Sequence, residues 1–345
     1  MKAELGVYPH ERQLLYEKVP LETPLAVDIH TTHFCNFRCN YCLLSKSKDE
    51  LKKAVLGRDG YKEEMMSWET FSEVVRQLKE FPEKIKMITT GGLGESTTHP
   101  KIVDMVQLLR DANVTEKIQM ISNAMLLTPE FSEKIIDAGL GELRISLQGI
   151  SSEKYWEISK AKIDWDTFYG NIKYFAKIKG DCKLKVKVAD TALEEGDEER
   201  FFELFGDICD AVGVEHIFET WRVHDLTIGN ETVPTEKTRF GRDYRYISVC
   251  RRPFTSIDIL PDGQLTQWCH IWFGHEKNIW DESIFNQWNS NGQNELRKNM
   301  LLGKREAYPH CKRCTFITNT WHPEDILDGH EQEILSRVYE AENAE

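Results

Sequence analysis

The sequence has no apolar stretch that approaches the roughly 20 residues a membrane-spanning helix needs. Its first residues are polar and charged and contain no apolar core of the kind that a secretory signal has. Positive charge is scarce as well, since 44 Lys and Arg stand against 57 Asp and Glu and give a formal net charge of −13. That balance disfavours binding to phosphate backbones and anionic lipids. We therefore expect a cytoplasmic protein that has neither a nucleic acid nor a membrane as its partner.

Internal repeats, low-complexity tracts and Pro- or Gly-rich linkers are also absent from the sequence. From about residue 24 to residue 221, short apolar runs alternate with longer amphipathic stretches, which is typical of successive βα units. We predict strands at 25–29, 85–89, 118–122, 143–147, 184–188 and 216–220. We predict helices at 68–80, 102–110, 129–138, 165–178 and 198–212, with Ser67, Thr128 and Asp197 as N-caps. Parallel strands with helical crossovers form an open doubly wound sheet or a barrel, and in both the chemistry lies at the carboxyl ends of the strands.

The alternation stops after Trp221. Residues 256–267 predict a β-hairpin that turns at Asp262 and Gly263. One amphipathic helix is predicted over 283–302, and a charged helix over 324–345. A second, smaller unit therefore follows the α/β region.

Nine cysteines in a chain without an export signal predict free thiols or metal ligands rather than disulfides. Cys35, Cys39 and Cys42 follow the first predicted strand directly. They could bind a zinc ion together with His33, or a four-iron cluster in which one iron has no protein ligand. Such an open iron would be a place for a substrate or cofactor to bind.

The spacing of Cys35, Cys39, Tyr41 and Cys42 resembles the CxxxCx(aromatic)C signature of the radical S-adenosylmethionine (AdoMet) superfamily. The resemblance implies an α/β fold with a partial (β/α)6 TIM-like barrel and a 4Fe-4S cluster on the three cysteines. It implies that AdoMet binds the open iron and is cleaved to a 5′-deoxyadenosyl radical, with Tyr41 against the adenine. It also implies a reducing partner such as flavodoxin or ferredoxin.

A glycine-rich segment with Gly92, Gly94 and Glu95 follows the second predicted strand. It resembles the GGE segment of the same superfamily, which implies that it holds the methionine amine of AdoMet. The superfamily usually has proline where this chain has Ser96.

Two weaker matches lie at the ends of the third and fourth predicted strands. Asn123 ends the third, and Ser146 begins the sequence Ser-Leu-Gln-Gly where the superfamily often has Ser-x-Asp-Gly. The resemblance implies that both contact the cofactor, and Gln148 replaces the acid.

Four further cysteines lie in the smaller unit: Cys250, Cys269, Cys311 and Cys314. Four thiolates complete one ligand set, for zinc or for iron and sulfur. The hairpin and the CxxC pair resemble the C-terminal extension of SPASM and twitch radical enzymes, which implies a second 4Fe-4S cluster that transfers electrons. Because no cysteine follows Cys314, the twitch form fits better than the full SPASM pattern. The expected division is an N-terminal extension (1–23), the partial barrel (24–224), a small α+β twitch/SPASM-like domain (225–322) and a helical tail (323–345).

Arg222 and His224 follow the sixth predicted strand and are candidate catalytic residues, because such side chains could take a proton from a hydroxyl or hold a phosphate. Cys182 and Cys209 are predicted to be buried away from the chemistry. Without a thiol that returns a hydrogen atom, simple epimerisation is disfavoured.

We predict a radical AdoMet oxidoreductase whose substrate is a small hydroxylated molecule such as a sugar, an aminocyclitol or a nucleotide-sugar. The auxiliary cluster would accept the electron. A peptide-modifying enzyme that forms a thioether, crosslink or epimer would use the same radical initiation, although only about 24 residues precede the first strand. A small-molecule epimerase or dehydratase is a further hypothesis, and a zinc-stabilised binding module is the non-catalytic one.

Overall fold

The computed structural model describes residues 1–8, 12–47, 49, 64–218, 221–223, 226–228, 237–266, 277–312 and 314–342. Its strands are β1 (Glu4–Leu5), β2 (Ala26–Ile29), β3 (Met87–Thr90), β4 (Ile118–Ser122), β5 (Glu142–Leu147), β6 (Lys183–Ala189), β7 (Ala211–Glu215), β8 (Trp221–Val223), β9 (Leu226–Ile228), β10 (Ser256–Ile259) and β11 (Leu265–Thr266). The main sheet has the order β1-β7-β6-β5-β4-β3-β2-β10-β11, and β8 pairs with β9. Neighbours from β1 to β10 are parallel, and only β11 in this sheet is antiparallel to its neighbour.

The α-helices are α1 (Trp68–Leu78), α2 (Ile102–Ala112), α3 (Pro129–Asp137), α4 (Ser152–Ser159), α5 (Trp165–Ile178), α6 (Asp197–Phe205), α7 (Arg252–Thr255), α8 (Ile284–Trp288), α9 (Asn291–Leu301), α10 (Pro309–Lys312), α11 (Phe316–Asn319) and α12 (Glu331–Glu342). Helices α1 to α6 connect the parallel strands β2 to β7, and α8 to α12 follow the last strand. The N-caps Ser67 and Thr128 are confirmed, since their side-chain oxygens accept backbone N–H groups of the first turn. The N-cap prediction for Asp197 is wrong: Gly196 precedes α6, and the Asp197 carboxylate accepts the N–H of Glu194 at 3.0 Å.

The two faces of the sheet differ in polarity. In β6, Leu184, Val186 and Val188 belong to the apolar core that the strands form with the surrounding helices. The residues between them, Lys185 and Lys187, point to the opposite side because side chains alternate along a strand. The same alternation holds in the neighbouring strand β5. The concave face of the barrel is therefore lined by polar and charged side chains.

The sixth predicted strand is wrong in position. The structure has β7 at Ala211–Glu215 rather than a strand at 216–220, and α6 ends at Phe205 rather than at residue 212. Gly206 follows the last turn of α6. Val212 and Val214 then alternate with small or polar residues, which is a period of two rather than of 3.6.

Two predictions for the smaller unit are also corrected. The hairpin exists, but its first strand β10 pairs in parallel with β2 and extends the main sheet. The single helix predicted over 283–302 is two helices, because the Ser290 hydroxyl accepts the N–H of Gln293 at 3.2 Å and caps the start of α9. The charged C-terminal helix begins at Glu331 rather than at residue 324.

A second group of buried apolar side chains lies apart from the main core. Its members come from both ends of the chain: Leu15, Val19, Ile247, Val249, Cys250, Phe254, Leu296, Met300, Leu301, Cys311, Ile317, Leu327, Ile334 and Leu335. This group surrounds two of the four cysteines predicted to bind the auxiliary cluster. The division of the chain at residues 24, 225 and 323 stays a prediction. Among the described residues, no helix is both long enough and apolar enough to span a bilayer.

Gly94 offers a test of how the loop after β3 packs. Its φ is +98°, and a Cβ there would lie 2.2 Å from the Thr32 carbonyl oxygen. Gly180 has a φ of +55° with nothing within 4 Å of a Cβ, so it is a matched control. We expect Gly180→Ala to lower the free energy of unfolding by about 1 kcal/mol and Gly94→Ala by about 3 kcal/mol, because only the second adds a backbone collision to the strain. Denaturant unfolding measures both, and equal losses would contradict the packing described here.

Candidate active site

The loop after β2 carries Cys35, Cys39 and Cys42, each of them half-buried. Its backbone is bonded to the end of α4. The N–H of Arg38 donates to the Ser159 carbonyl at 2.8 Å, and the N–H of Asn40 donates to the Ile158 carbonyl at 2.9 Å. The Phe37 side chain between the cysteines is buried in the main core. Helix α4, which the sequence analysis missed, therefore holds the cysteine loop in place.

The chemistry of these thiols suits iron ligation. Burial raises the pKa of all three, that of Cys35 to about 12, and the neighbouring Cys42 thiolate raises the pKa of Cys35 and Cys39 further. Metal ligation requires the thiolate form, and cationic irons would offset the repulsion among the three charges. Within the described part of the chain, no group of three or more His, Cys, Asp or Glu side chains is arranged to hold a metal ion. Thiolates are the ligands by which proteins hold iron–sulfur clusters, so these three residues fit such a cluster.

Glu95 connects the loops that follow β2, β3 and β4. Its side chain is only 3% exposed, and its Oε1 accepts the Thr97 N–H at 3.1 Å, the Thr97 hydroxyl at 2.6 Å and the Ser122 hydroxyl at 2.8 Å. Its Oε2 accepts the Asn123 N–H at 2.7 Å. Its own N–H donates to the Phe34 carbonyl at 2.8 Å. Burial raises the Glu95 pKa and these hydrogen bonds oppose that rise. With one protein donor, Oε2 can accept another.

Gly92 and Gly94 allow two loops to touch. A Cβ at Gly92 would lie 2.5 Å from the His30 ring. A Cβ at Gly94 would collide with the Thr32 carbonyl. The two glycines therefore bring the loop after β3 against the loop after β2.

Residues at the ends of β4 and β5 also reach the cysteine loop. The Asn123 side-chain amide donates to the Asn36 side-chain oxygen at 2.7 Å. The Tyr41 hydroxyl donates to the Gln148 side-chain oxygen, and the Gln148 amide donates to the Ser146 carbonyl at 3.1 Å. The structure thus brings the predicted cofactor-binding positions together. Asn36 and Gln148 were not assigned roles from sequence, although both lie inside the motifs that were recognised.

His30 was missed by the sequence analysis. It is 3% exposed, its Nδ1 accepts the Leu93 N–H at 3.3 Å, and its Nε2 lies 2.9 Å from Asp258 Oδ1 on β10. Since Nδ1 accepts, the proton of the neutral ring is on Nε2 and is donated to Asp258. Burial lowers the His30 pKa to about 4. The only sequence signal was its place directly after β2.

Three of the four cysteines of the second set lie in the described part of the chain. Cys250 and Cys311 are buried and Cys314 is half-buried. Burial and the Cys314 thiolate raise the pKa of Cys250 to about 11, and burial with both neighbours raises that of Cys311. Cys269 lies outside the described residues.

The remaining candidate residues are placed as follows. Only the backbone of Arg222 is described, in β8, and His224 lies outside the described residues. Cys182 and Cys209 are buried just before β6 and β7. They lie at the amino ends of these strands, and the cysteine loop lies at the carboxyl end of β2.

Residues 29–200, about half of the chain, match the model of the Radical SAM superfamily. The GTP 3′,8-cyclase of Staphylococcus haemolyticus is 30% identical over 164 residues, which are 46% of this chain and 44% of that protein. A tungsten-containing aldehyde ferredoxin oxidoreductase cofactor-modifying protein of Pyrococcus furiosus is 29% identical over 119 residues, which are 34% of this chain and 29% of that protein. The chain matches less than half the length of these curated relatives.

Several solved structures share the fold. BtrN in complex with AdoMet and 2-DOIA has a TM-score of 0.53 at 16% identity and covers 87% of this chain and 97% of its own. SuiB of Streptococcus suis bound to S-adenosylmethionine has a TM-score of 0.61 at 16% identity, over 92% of this chain and 79% of its own. The enzyme anSMEcpe with bound AdoMet reaches 0.58 at 14% identity, over 92% and 96%. The chain belongs to the radical SAM superfamily, and the predicted α/β partial-barrel fold is confirmed. Membership implies AdoMet and a 4Fe-4S cluster as cofactors.

The buried His30 predicts a component of acid sensitivity. Its pKa is about 4 when folded and about 6.5 when unfolded, so only the unfolded chain takes up this proton as the pH falls between those values. We expect this one residue to account for about 1 kcal/mol of the stability lost from pH 7 to pH 5.5. His30→Gln should remove that component, because an amide can accept from Leu93 and donate to Asp258 without titrating. Denaturant unfolding at the two pH values measures this, and identical pH dependence in both proteins would contradict it.

Proposed function

We propose that this protein is a radical AdoMet oxidoreductase that removes a hydrogen atom from a small hydroxylated molecule. The observation that carries this proposal is the network at the carboxyl ends of β2 to β5. There, Glu95, Asn123 and Tyr41 link the glycine-rich loop and two strand ends to the cysteine loop. When bound, the 4Fe-4S cluster supplies the electron that cleaves AdoMet to the 5′-deoxyadenosyl radical.

In this proposal Cys35, Cys39 and Cys42 hold the cluster and leave one iron for AdoMet. Oε2 of Glu95 accepts the methionine ammonium, because it has acceptor capacity left and lies beside the glycine-rich loop. Tyr41 lies against the adenine. The rest of AdoMet contacts four further residues in this proposal: Gly92, Gly94, Asn123 and Ser146.

In this proposal the second cysteine set makes the reaction an oxidation, because the cluster it holds would accept an electron from the substrate. We assign Cys250, Cys269, Cys311 and Cys314 to an auxiliary 4Fe-4S cluster in a twitch/SPASM-like domain. A cluster on these cysteines would accept one electron from the substrate after the carbon that bears the hydroxyl has given its hydrogen atom to the deoxyadenosyl radical and the hydroxyl has given up its proton, which leaves a carbonyl. Arg222 and His224 stay the candidates for accepting the proton. A flavodoxin or ferredoxin in the cytoplasm would supply the initiating electron.

Peptide modification is the second candidate. SuiB bound to the precursor peptide SuiA has a TM-score of 0.58 with this chain at 14% identity, higher than the 0.53 of BtrN. Coverage does not separate the two candidates, since BtrN, solved with 2-DOIA, covers 87% of this chain and 97% of its own, and anSMEcpe with a bound Cp18Cys peptide covers 92% and 96%. The similarity in sequence to the GTP 3′,8-cyclases is what favours a small molecule.

The iron content tests both clusters. Anaerobically reconstituted protein should contain about eight irons per chain, the content of two four-iron clusters. Replacing Cys35, Cys39 and Cys42 together by Ala should leave about four, and replacing Cys250 and Cys311 by Ala should also leave about four. Iron and sulfide analysis provides the count. About eight irons in the first variant would remove the three cysteines from the site, and about four in the wild type would remove the auxiliary cluster.

The fate of the abstracted hydrogen tests the reaction type. A substrate with deuterium on the reacting carbon should transfer it to 5′-deoxyadenosine, and oxidised product and 5′-deoxyadenosine should form in a one-to-one ratio. Cys182→Ala and Cys209→Ala should remain active, because both thiols lie at the far end of the strands. Mass spectrometry follows the label. A product that gains solvent deuterium in heavy water, with activity lost in either variant, would show an epimerase instead.

A further inference from the structure

A cavity of about 220 Å³ lies at the carboxyl ends of β1 and β7. Tyr8 and Phe240 form an aromatic wall with ring centroids 4.6 Å apart, and Arg242 and His322 also line the space. Glu215, the last residue of β7, lies at its inner side. The cavity therefore opens at the strand ends where chemistry is located in such barrels.

Glu215 carries a heavily compensated charge. Lys187 Nζ lies 2.6 Å from its Oε2, Arg239 donates to the same oxygen at 2.6 and 3.0 Å, and the Tyr8 hydroxyl donates to Oε1 at 3.0 Å. The Arg144 guanidinium lies 4.7 Å from the centre of the Tyr8 ring. Burial lowers the Lys187 pKa to about 8, which leaves it mostly protonated at pH 7. Lys187 and Arg239 together outweigh the one carboxylate they contact.

Positive charge is also in excess on the other side of the cavity. Arg12 and Arg251 share one carboxylate, Asp325, at 2.7 and 3.0 Å. Arg242 lies 5.7 Å from the centre of the Trp321 ring. The remaining carboxylate at the cavity is Glu324. The cavity lining itself has two arginines and two carboxylates, and the neighbouring Lys187, Arg239 and Arg251 give the surroundings a positive excess that favours an anion.

His322 supplies an independent sign of a ligand. It is 7% exposed, and its Nε2 has no hydrogen-bond partner within the described part of the chain. Burial lowers its pKa to about 3, so the ring is neutral at pH 7. A buried polar atom without a partner is costly, at about 1–3 kcal/mol. A hydrogen-bonding group of a bound molecule in the cavity would remove that cost.

The cavity lies at the same edge of the sheet as the cysteine loop, because β1, β7 and β2 belong to one parallel sheet and both features follow the carboxyl ends of their strands. We propose that this cavity binds a carboxylate or phosphate group of the molecule on which the radical acts. This assignment rests on the proposed function and adds the charge of the substrate. Arg242 and His322 then contact the anion, while Tyr8 and Phe240 contact the body of the molecule.

Titration calorimetry on the reconstituted holoenzyme tests this assignment. AdoMet is present and reductant is absent, so that the site that binds the methionine carboxylate of AdoMet is already filled. The probes are inorganic phosphate, acetate and, as a neutral control, glycerol. Arg242→Gln should weaken binding of the preferred anion about 10- to 150-fold, the loss expected for a hydrogen bond to a charged group. Arg242→Lys should restore most of it. Arg76→Gln, on the exposed side of α1, is the matched control and should bind as the wild type does.

Tighter binding of phosphate would assign a phosphoryl group and tighter binding of acetate a carboxylate, and both support the proposal. No anion binding by the wild type, or equal binding by Arg242→Gln, would overturn it. The release of 5′-deoxyadenosine from AdoMet with dithionite is measured in parallel and should be the same in the wild type and in Arg76→Gln. A third outcome is that the wild type binds the anion, Arg242→Gln does not, and the wild type releases no 5′-deoxyadenosine. That outcome would overturn both the proposed function and the substrate assignment, and the cavity would then be an anion site only.

Discussion

The buried carboxylate of Glu95 holds the candidate active site together. Hydroxyl and backbone donors from two loops converge on it, and its own amide is bonded to the loop after β2. Burying a carboxylate is tolerated only when donors of this kind surround it. Each donor is therefore fixed in position by the charge it satisfies. Asn123, which donates its backbone N–H to Glu95, also donates its side-chain amide to Asn36 in the cysteine loop, so Glu95 is linked to that loop through a single residue.

A second polar link joins the C-terminal third of the chain to the same place. His30 binds the glycine-rich loop through one ring nitrogen and Asp258 of β10 through the other. Because β10 pairs with β2, the hairpin that begins the second cysteine region is continuous with the barrel sheet. The buried Cys250 lies only two residues before α7, which leads directly into β10. This continuity gives the two cysteine sets a common rigid support.

The sequence predicted the parts of the fold that have strong local periodicity. Helix α5 and strand β4 match their predicted bounds because their apolar spacing is regular and their neighbours are polar. Strand β7 was misplaced because its short Ala-Val-Gly-Val-Glu run continues the apolar pattern of α6, and only Gly206 marks the break. The cysteine and glycine motifs were recognisable because they are contiguous. Contacts between residues far apart in the chain, such as His30 with Asp258 and Tyr8 with Glu215, leave no local pattern and required the structure.

In the proposed enzyme, the cysteine loop holds a cluster with an open iron beside Glu95, and AdoMet binds there. The most direct measurement is the electron paramagnetic resonance spectrum of the dithionite-reduced protein, titrated with AdoMet in a Cys311→Ala, Cys314→Ala background that leaves one cluster. We expect AdoMet to change the signal. Glu95→Ala should keep the cluster signal, and half of the change should then need an AdoMet concentration about 10- to 150-fold higher. A cluster signal that is identical with and without AdoMet would contradict it.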